Sequence, residues 1–215
     1  MRSPAKFSKI PSASITRLSI YSRYLEALAQ EGVKIIASDK LAQKCGINPA
    51  QIRKDLAYFG EFGIRGVGYF VKELLFEIKR ILGLNKVWKM ALVGVGNLGS
   101  ALLSHQNFAR QGYEFAAVFD VDPAKVGRRL PNGLIIHHLD ELDRVVRETG
   151  VEIAVIATPA AQAQEVAQRL IQAGIRAILN FAPIQLQVPE GMVVENVDFT
   201  VKLDNLAYHL TMGRA

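Results

Sequence analysis

The feature that most limits the fold of this chain is the segment from residue 89 to residue 120. It begins with an apolar run, and three glycines follow with the spacing G-x-G-x-x-G, namely Gly94, Gly96 and Gly99. A helix-like run comes next, in which Leu98, Leu102, Leu103 and Ala109 are apolar. A second apolar run ends at Asp120. This order predicts a strand–helix–strand unit of a parallel sheet.

The three glycines have different physical roles in such a unit. Gly94 allows a tight turn from strand to helix, Gly96 lets the backbone approach a pyrophosphate, and Gly99 lets the helix pack on its strand. The free N–H groups at the start of the helix then face the phosphates. Asp120 stands where an acid that binds a ribose 2′-hydroxyl is expected, about 20 residues on. The segment predicts a nucleotide site, and a purely structural glycine turn is the alternative.

Charge is unevenly distributed along the 215 residues, whose net charge is +6. Residues 1–85 carry 14 Lys and Arg against 7 Asp and Glu, whereas residues 86–215 carry 12 against 13. Clustered positive charge is typical of proteins that bind a polyanion, although it also serves solubility. No apolar run reaches the ~18–20 residues of a membrane span, and the N-terminal arm lacks the apolar core of a signal peptide. We therefore expect a cytoplasmic protein with no membrane partner.

The basic part begins with a predicted amphipathic helix over residues 15–31. Its apolar positions recur near i, i+3, i+4 and i+7, and they are Leu18, Tyr21, Leu25 and Leu28. Gly32 follows, as is common at the C-terminal end of a helix. We predict next a short strand over residues 33–37 and a short helix over residues 39–45, capped by Ser38.

The next residues complete a helix-turn-helix pattern. Gly46 makes a turn, Asn48 is a good N-cap, and Pro49 suits the first position of a second helix that runs to Phe59. This helix places several polar side chains off its apolar face, namely Gln51, Arg53, Lys54 and Tyr58. Such residue types contact base edges and phosphates, which predicts DNA binding. An ordinary helical hairpin with a solvated face is the alternative.

A glycine-rich segment follows the second helix, GEFGIRGVGYF at residues 60–70. Its alternating glycines and apolar residues predict a sharply turned β-hairpin, the wing of a winged helix, with Arg65 near the tip and able to reach a minor groove. A glycine-rich linker is the alternative. A helix over residues 71–82 closes this domain. We predict a winged-helix domain over 1–85, a Rossmann-like domain over 86–196 and a C-terminal helical segment over 197–215.

Strands and helices alternate after Asp120, which predicts a parallel sheet with right-handed crossovers. Ligands bind at the carboxyl ends of such strands. Thr158 and Phe181 stand at strand ends, as do Gly94 and Asp120, so we expect these residues to converge on one crevice. A final helix over residues 198–212, capped by Asp198, carries an apolar stripe, Phe199, Leu203, Leu206 and Leu210. That stripe needs a partner, which is either its own domain or a second subunit.

The sequence lacks the residue patterns that metal binding, disulfide formation and catalysis require. The four histidines show no metal-ligand spacing with Cys, Asp or Glu, and the single Cys45 excludes an internal disulfide. We predict no metal site and no catalytic residues. A nicotinamide dehydrogenase also needs residues that hold and protonate a substrate, usually from a second domain. The other domain here is the basic winged helix, which favours sensing of a dinucleotide over its turnover.

The chain resembles the Rex family of bacterial redox-sensing transcriptional repressors over nearly its whole length. The most specific segments are ITRLSIYSRYL, NPAQIRKDLAYFGEFGIRGVGY, VGVGNLGSALL, the NFAP turn and a last helix that opens with VDF. The resemblance implies an α/β homodimer with an N-terminal winged helix-turn-helix domain, a Rossmann-like domain and a swapped C-terminal dimerisation helix over 197–215. It implies binding of double-stranded operator DNA when NADH is scarce and release when NADH accumulates.

The resemblance also implies roles for particular residues. The dinucleotide, NADH or NAD⁺, would contact a set of loop residues and Asp120; the loop residues are Gly94, Val95, Gly96, Asn97, Leu98 and Gly99. Thr158 and Phe181 would lie near its nicotinamide half, and Phe199 would approach from the other subunit. Arg17 and Asp198 would belong to an interface network that differs between the DNA-bound and NADH-bound states.

Two other functions stay open at this point. One is a small NAD-dependent oxidoreductase with a basic accessory domain, and the other is a related fold that binds coenzyme A. Arg128 and Arg129 could reach a 2′-phosphate if their loop folds back. Asp120 would repel that phosphate, so we favour NAD over NADP.

Overall fold

The computed structural model describes residues 10–213, and the chain divides into two compact units between Lys86 and Val87. The first unit combines helices with three very short strands. In chain order its elements are α1 (Ser12–Gln30), β1 (Ile35–Ile36), α2 (Ser38–Cys45), α3 (Pro49–Ala57), β2 (Gly63–Ile64), β3 (Gly68–Phe70) and α4 (Val71–Ile81). The N-terminal arm, residues 1–9, and residues 214–215 lie outside the described range.

The helices of the first unit surround one apolar core. The predicted apolar stripe of α1 is buried as expected, with Leu18, Tyr21 and Leu25 fully inaccessible and Leu28 nearly so. Ile52 and Leu56 of α3 join the same core with Val71 and Leu74 of α4. Phe59, just after α3, and Ile78 of α4 are also part of it. The predicted second helix therefore packs by the face that the sequence indicated.

The caps of the two helix-turn-helix helices differ from each other. Asn48 caps α3 as predicted, because its side chain accepts a hydrogen bond from the Ala50 N–H at 2.8 Å. The prediction that Ser38 caps α2 was wrong. Ala37 occupies the extended N-cap position and Ser38 is the first helical residue. The Ser38 hydroxyl instead accepts a hydrogen bond from the Arg53 guanidinium at 3.0 Å.

The predicted wing is present as an antiparallel sheet. Strands β2 and β3 form the hairpin, and β1 pairs with β3 on the other side, in the order β1-β3-β2. Residues 65–67 form the turn, so Arg65 lies at the tip. A Cβ atom on Gly68, whose φ is +114°, would lie 2.5 Å from the Ile36 carbonyl oxygen, so the close approach of β3 to β1 requires glycine.

The second unit alternates strands and helices. In chain order its elements are β4 (Trp88–Val93), α5 (Asn97–Ser104), α6 (Asn107–Arg110), β5 (Tyr113–Asp120), β6 (Ile136–His138), α7 (Leu142–Thr149), β7 (Ile153–Ile156), α8 (Ala160–Gln172), β8 (Ala177–Asn180), β9 (Val193–Asn196) and α9 (Phe199–Met212). The six strands form one parallel sheet in the order β6-β5-β4-β7-β8-β9. The order reverses direction between β4 and β7, which is the switch point where Rossmann-like sheets bind ligands.

Both faces of this sheet are covered, as the continuous apolar runs predict. Ala91 and Val93 of β4 pack into the core beneath α7 and α8. Met90 and Leu92 point to the opposite face, where Leu102 and Leu103 of α5 pack against them. The apolar pattern of residues 98–109 suggested a single helix, but the helix is interrupted at His105, whose backbone is extended. Leu98 and Ala109, which the pattern counted as apolar positions, are exposed.

The final helix α9 begins at the predicted cap. The Asp198 carboxylate accepts hydrogen bonds from the backbone N–H and hydroxyl of Thr200 at 2.8 and 2.6 Å. The apolar stripe of α9 stays exposed, with about 60% of each member accessible: Phe199 60%, Leu203 61%, Leu206 60% and Leu210 63%. Within the described range, no helix combines the length and the apolar character that crossing a membrane demands.

Candidate functional site

The glycine loop between β4 and α5 is tightly packed on one side and open on the other. Gly94 has a φ of +99°, and a Cβ there would lie 2.7 Å from the Ala157 carbonyl oxygen, at the end of β7. A Cβ on Gly99 would lie 2.0 Å from the Gly94 carbonyl oxygen, so α5 meets its own turn without room for a side chain. Nothing lies within 4 Å of a Cβ built on Gly96. The free space therefore lies at Gly96, where the sequence predicts the pyrophosphate.

The start of α5 is suited to an anion. Gly96 occupies the N-cap and makes no side-chain cap, and Asn97 and Leu98 follow it as exposed residues. The first backbone N–H groups of any helix have no partner within the helix, and the helix dipole adds partial positive charge there. Phosphate groups bind such helix starts through these N–H groups.

Asp120 lies at the end of β5 beside this loop and is only 7% exposed. Its carboxylate accepts hydrogen bonds from the Val95 N–H at 2.7 Å and the Asp122 N–H at 2.9 Å, and Lys125 Nζ lies 3.2 Å away. Burial alone would raise the pKa of Asp120. The hydrogen bonds from Asp122, Val95 and Lys125 outweigh burial and lower it, so the group is ionised at neutral pH.

The next two strands bring further residues to the same edge of the sheet. Thr158 follows β7, and its hydroxyl oxygen is buried without a hydrogen-bond partner among the described residues. A buried polar atom without a partner is costly, so this hydroxyl fits a polar group of a bound ligand. The loop after β8 is held by buried Asn180, whose side-chain amide donates to the carbonyls of Ala182 and Ile184 at 3.1 and 2.9 Å.

Phe181 and Phe199 are neighbours within one chain. Their ring centroids lie 6.2 Å apart at an interplanar angle of 38°, which joins the loop after β8 to the start of α9. The resemblance implied that Phe199 comes from the other subunit, whereas in the single chain it lies beside the chain's own Phe181. The structure therefore groups Gly94, Val95, Asp120 and Thr158 around the switch point, with this ring pair at the end of β8.

Two arginines that follow Asp120 in the chain, Arg128 and Arg129, differ in their contacts. Arg129 donates a hydrogen bond to the Gly133 carbonyl at 3.0 Å, and its backbone pairs with Ile135, so its side chain serves its own loop. Arg128 is exposed. Lys125, which the sequence analysis did not single out, is the basic residue that contacts Asp120.

The predicted DNA-reading residues lie on α3 and the wing. Arg53, Lys54, Tyr58 and Arg65 are exposed, whereas Gln51 is half-buried. The Gln51 amide nitrogen donates to Asp55 Oδ1 at 2.9 Å, so that residue is partly committed to the protein interior. A cleft of about 550 Å³ separates α3 from the wing, and Arg53, Arg65 and Tyr69 contribute to its lining.

Sequence reasoning missed Asp55, a fully buried carboxylate on α3. It accepts hydrogen bonds from Ser14 at 2.9 Å, Arg17 at 2.6 and 2.7 Å, Tyr21 at 2.8 Å and Gln51. Burial alone would raise the pKa of Asp55, but the hydrogen bonds from Arg17, Tyr21, Gln51 and Ser14 outweigh burial and lower it to about 2. The sequence did carry a signal for this site, because Asp55 lies between the apolar residues Ile52 and Leu56, on the face of α3 that was predicted to be buried.

Arg17 and Asp198, the two predicted switch residues, each have a partner in their own unit. Arg17 pairs with Asp55, and Asp198 caps α9 through Thr200. Among residues 10–213, no group of His, Cys, Asp and Glu is arranged to hold a metal ion. His138 contacts Asp140 at 3.1 Å in the turn before α7 and is part of that local cap.

Comparison with known proteins relates both units to described families. Residues 9–57 match the family model "Putative DNA-binding protein N-terminus", and residues 85–184 match "CoA binding domain". The "Redox-sensing transcriptional repressor Rex" of Syntrophobacter fumaroxidans is 62% identical over 208 residues, 97% of this chain and 99% of the relative.

Two solved structures are similar to this chain over nearly its whole length. The crystal structure of RSP in complex with β-NAD⁺ and operator DNA matches with a TM-score of 0.90 and 36% sequence identity. The match covers 95% of this chain and 94% of the RSP chain. RSP in complex with β-NADH has a TM-score of 0.85 and 34% identity, with 96% of each chain covered.

The fold and the two sites define a transcription regulator with a winged helix and a Rossmann-like ligand domain. The relatives make the assignment specific. The chain belongs to the Rex family of redox-sensing transcriptional repressors. The family consists of repressors, so the alternative of a small oxidoreductase is set aside.

Proposed function

We propose that this chain forms a cytoplasmic homodimer that binds operator DNA when NADH is scarce and releases it when NADH binds. The observation that carries the proposal is the crevice at the β4–β7 switch point, present in the same chain as a winged helix. The relatives support it, since RSP is described in complex with β-NADH and with β-NAD⁺ and operator DNA.

The crevice offers a suitable partner for each part of a dinucleotide. The open space at Gly96 and the N–H groups of Asn97 and Leu98 suit the diphosphate. Ionised Asp120 suits the hydroxyls of the adenosine ribose. The unpartnered Thr158 hydroxyl and the Phe181 ring suit the nicotinamide half.

The aromatic pair gives a physical reason for preference between the redox forms. Oxidised nicotinamide carries a positive charge, and the reduced ring is neutral. A slot lined by Phe181 and Phe199 penalises the cation because the cation loses its hydration there. NADH is therefore expected to bind more tightly than NAD⁺, whether Phe199 comes from the same chain or is the partner subunit's Phe199.

DNA binding is assigned to α3 and the wing. Arg53 and Lys54 are exposed cations near the middle of α3, and Tyr58, which follows the last residue of α3, is also exposed. Arg65 at the wing tip suits the minor groove. Gln51 lies near the N-terminus of α3, the end of a recognition helix that contacts base edges.

Dimerisation is assigned to α9. Its exposed stripe of Phe199, Leu203, Leu206 and Leu210 is the kind of apolar surface that a second subunit covers. A dimer must place its two recognition helices about 34–36 Å apart, one turn of DNA. Binding of NADH would change that spacing, and Arg17 and Asp198 would exchange partners at the interface as it changes.

The test is a titration at fixed salt concentration, because affinity for DNA depends on salt. The probe is a duplex selected from random sequences by repeated binding to the protein. We expect NADH to weaken DNA binding and, by linkage, the duplex to weaken NADH binding by the same factor. Equal NADH affinity with and without the duplex, or equal affinity for NADH and NAD⁺, would contradict the proposal.

A further inference from the structure

The turn after β5 holds a lysine against the carboxylate that the dinucleotide site depends on. Lys125 Nζ lies 3.2 Å from Asp120 Oδ2 and 3.6 Å from Asp122 Oδ2. One third of the Lys125 side chain is accessible, against 8% of the Asp120 side chain. The hydrogen bond to Asp120 raises the pKa of Lys125, so the ammonium stays charged.

The carboxylate of Asp120 has little acceptor capacity left. A carboxylate offers about four lone-pair positions. The Val95 N–H, the Asp122 N–H and the Lys125 ammonium fill three of them. The Val95 and Asp122 bonds are backbone contacts that define the glycine loop and the turn, so they stay in place. One position is therefore free for a ligand.

An adenosine ribose presents two neighbouring hydroxyls, but Asp120 has only one acceptor position free, so it can accept a hydrogen bond from only one of them. A hydroxyl both donates and accepts, whereas an ammonium only donates. The pair of Asp120 and Lys125 therefore matches a diol, with one hydroxyl donating to the carboxylate and the other accepting from the ammonium. We propose that Lys125 is a specificity-determining residue of the dinucleotide site that recognises the ribose diol together with Asp120.

This inference rests on the proposed function and adds a consequence for the choice of nucleotide. A 2′-phosphate in place of the hydroxyl meets the Asp120 carboxylate, which repels it, and the Lys125 ammonium, which attracts it. Lys125 thus moderates the discrimination that Asp120 imposes against NADPH. Arg129 is bound to Gly133 in its own loop, and exposed Arg128 makes the matched control.

The experiment compares the dissociation constants of NADH and NADPH by calorimetry. The variants are Lys125→Met, Lys125→Arg and Arg128→Met, each in the parent chain and in an Asp120→Asn background that removes the repelling charge. We expect Lys125→Met to weaken both nucleotides, NADPH more strongly, so that the ratio of the NADPH to the NADH constant rises about fivefold. Lys125→Arg keeps the charge and should leave the ratio within about twofold of the parent.

The outcomes separate this inference from the proposed function. A parent chain that binds neither nucleotide contradicts the proposed function itself. A parent that binds NADH, with a ratio unchanged by Lys125→Met in both backgrounds, overturns the role of Lys125 alone. A rise in the ratio caused by Arg128→Met instead would also overturn it and assign the selectivity to Arg128. Circular dichroism of each variant checks that the fold is retained.

Discussion

The Arg17 guanidinium donates two hydrogen bonds to the Asp55 carboxylate, at 2.6 and 2.7 Å, and so ties α1 to the recognition helix α3. Arg17 is about one quarter exposed, whereas the Asp55 side chain is fully buried. Tyr21 donates to the same carboxylate from the next turn of α1. One buried charge therefore adds to the apolar packing that holds α3 on α1, and a change in the Arg17 contacts would reach the proposed DNA-binding helix directly.

Replacement of Asp55 by Asn should destabilise the first unit. The neutral amide leaves the Arg17 charge without its counterion and the Tyr21 hydroxyl with a weaker acceptor, which costs about 3 kcal/mol of unfolding free energy. Hydrogen exchange in α1 and α3 measures this loss, and DNA affinity should fall with it. Asp39→Asn, which changes an exposed acid on α2, is the matched control and should leave both quantities unchanged.

Stability of the first unit should also depend on acid pH through Asp55. Its pKa is lowered from 3.8 to about 2, so the charged form is favoured in the folded state. The stabilisation is complete above about pH 5 and is lost as the pH falls through about 2, in total about 2 kcal/mol. Acid titration of the α1 and α3 exchange rates measures this. A titration in which Asp55→Asn retains the same acid-dependent loss would assign it to other groups.

Much of the fold follows from local sequence signals. The buried stripe of α1, the Asn48 cap and the continuous apolar runs of β4 and β7 are short-range patterns, and the structure matches them. The end of α5 at His105 was not predicted, because the apolar pattern of a helix continues through Leu102 and Leu103 to Ala109. A local pattern shows which residues are apolar, and the neighbouring strands decide which of them are covered.

The candidate site was predictable only in part, for a related reason. Gly94, Gly96 and Asp120 stand at fixed spacing within one strand–helix–strand unit, so the sequence indicates their proximity. Asp55 meets Ser14, Arg17 and Tyr21 across 34 to 41 residues, a pairing that depends on how α1 packs on α3. Lys125 was missed because its contact with Asp120 depends on the conformation of the turn after β5.

Two of the loop glycines, Gly96 and Gly99, should respond differently to substitution. Gly99→Ala places a Cβ 2.0 Å from a backbone oxygen, so it should destabilise the second unit by about 3 kcal/mol or more. Gly96→Val enters open space in the described chain and should leave stability within about 1 kcal/mol while abolishing NADH binding. Fluorescence of Trp88, the single tryptophan, follows unfolding, and calorimetry follows binding. Unchanged NADH affinity in Gly96→Val would remove the diphosphate from this loop.

The exposed cations of α3 should contribute to DNA binding through phosphate contacts. Arg53→Ala and Lys54→Ala should each weaken DNA binding and lower the slope of log affinity against log salt by about one unit. NADH binding should persist, because both residues lie in the first unit. Lys72→Ala, which removes an exposed cation on α4, is the control. Intact DNA affinity in both α3 variants at moderate salt would assign DNA reading to another surface.

The Phe181–Phe199 pair should govern the preference for reduced over oxidised dinucleotide. If desolvation of the cationic ring causes the preference, a polar side chain at position 199 restores part of the lost hydration. Phe199→Gln should therefore reduce the ratio of NAD⁺ to NADH dissociation constants about tenfold, roughly 1.4 kcal/mol. Phe199→Leu keeps the site apolar and should retain most of the ratio.

Calorimetry with NADH and with NAD⁺ measures the two dissociation constants. Sedimentation checks that each variant has the parent's oligomeric state, since residue 199 begins α9. Equal loss of preference in the Leu and Gln variants would show that ring stacking, and not exclusion of water, distinguishes the two redox forms.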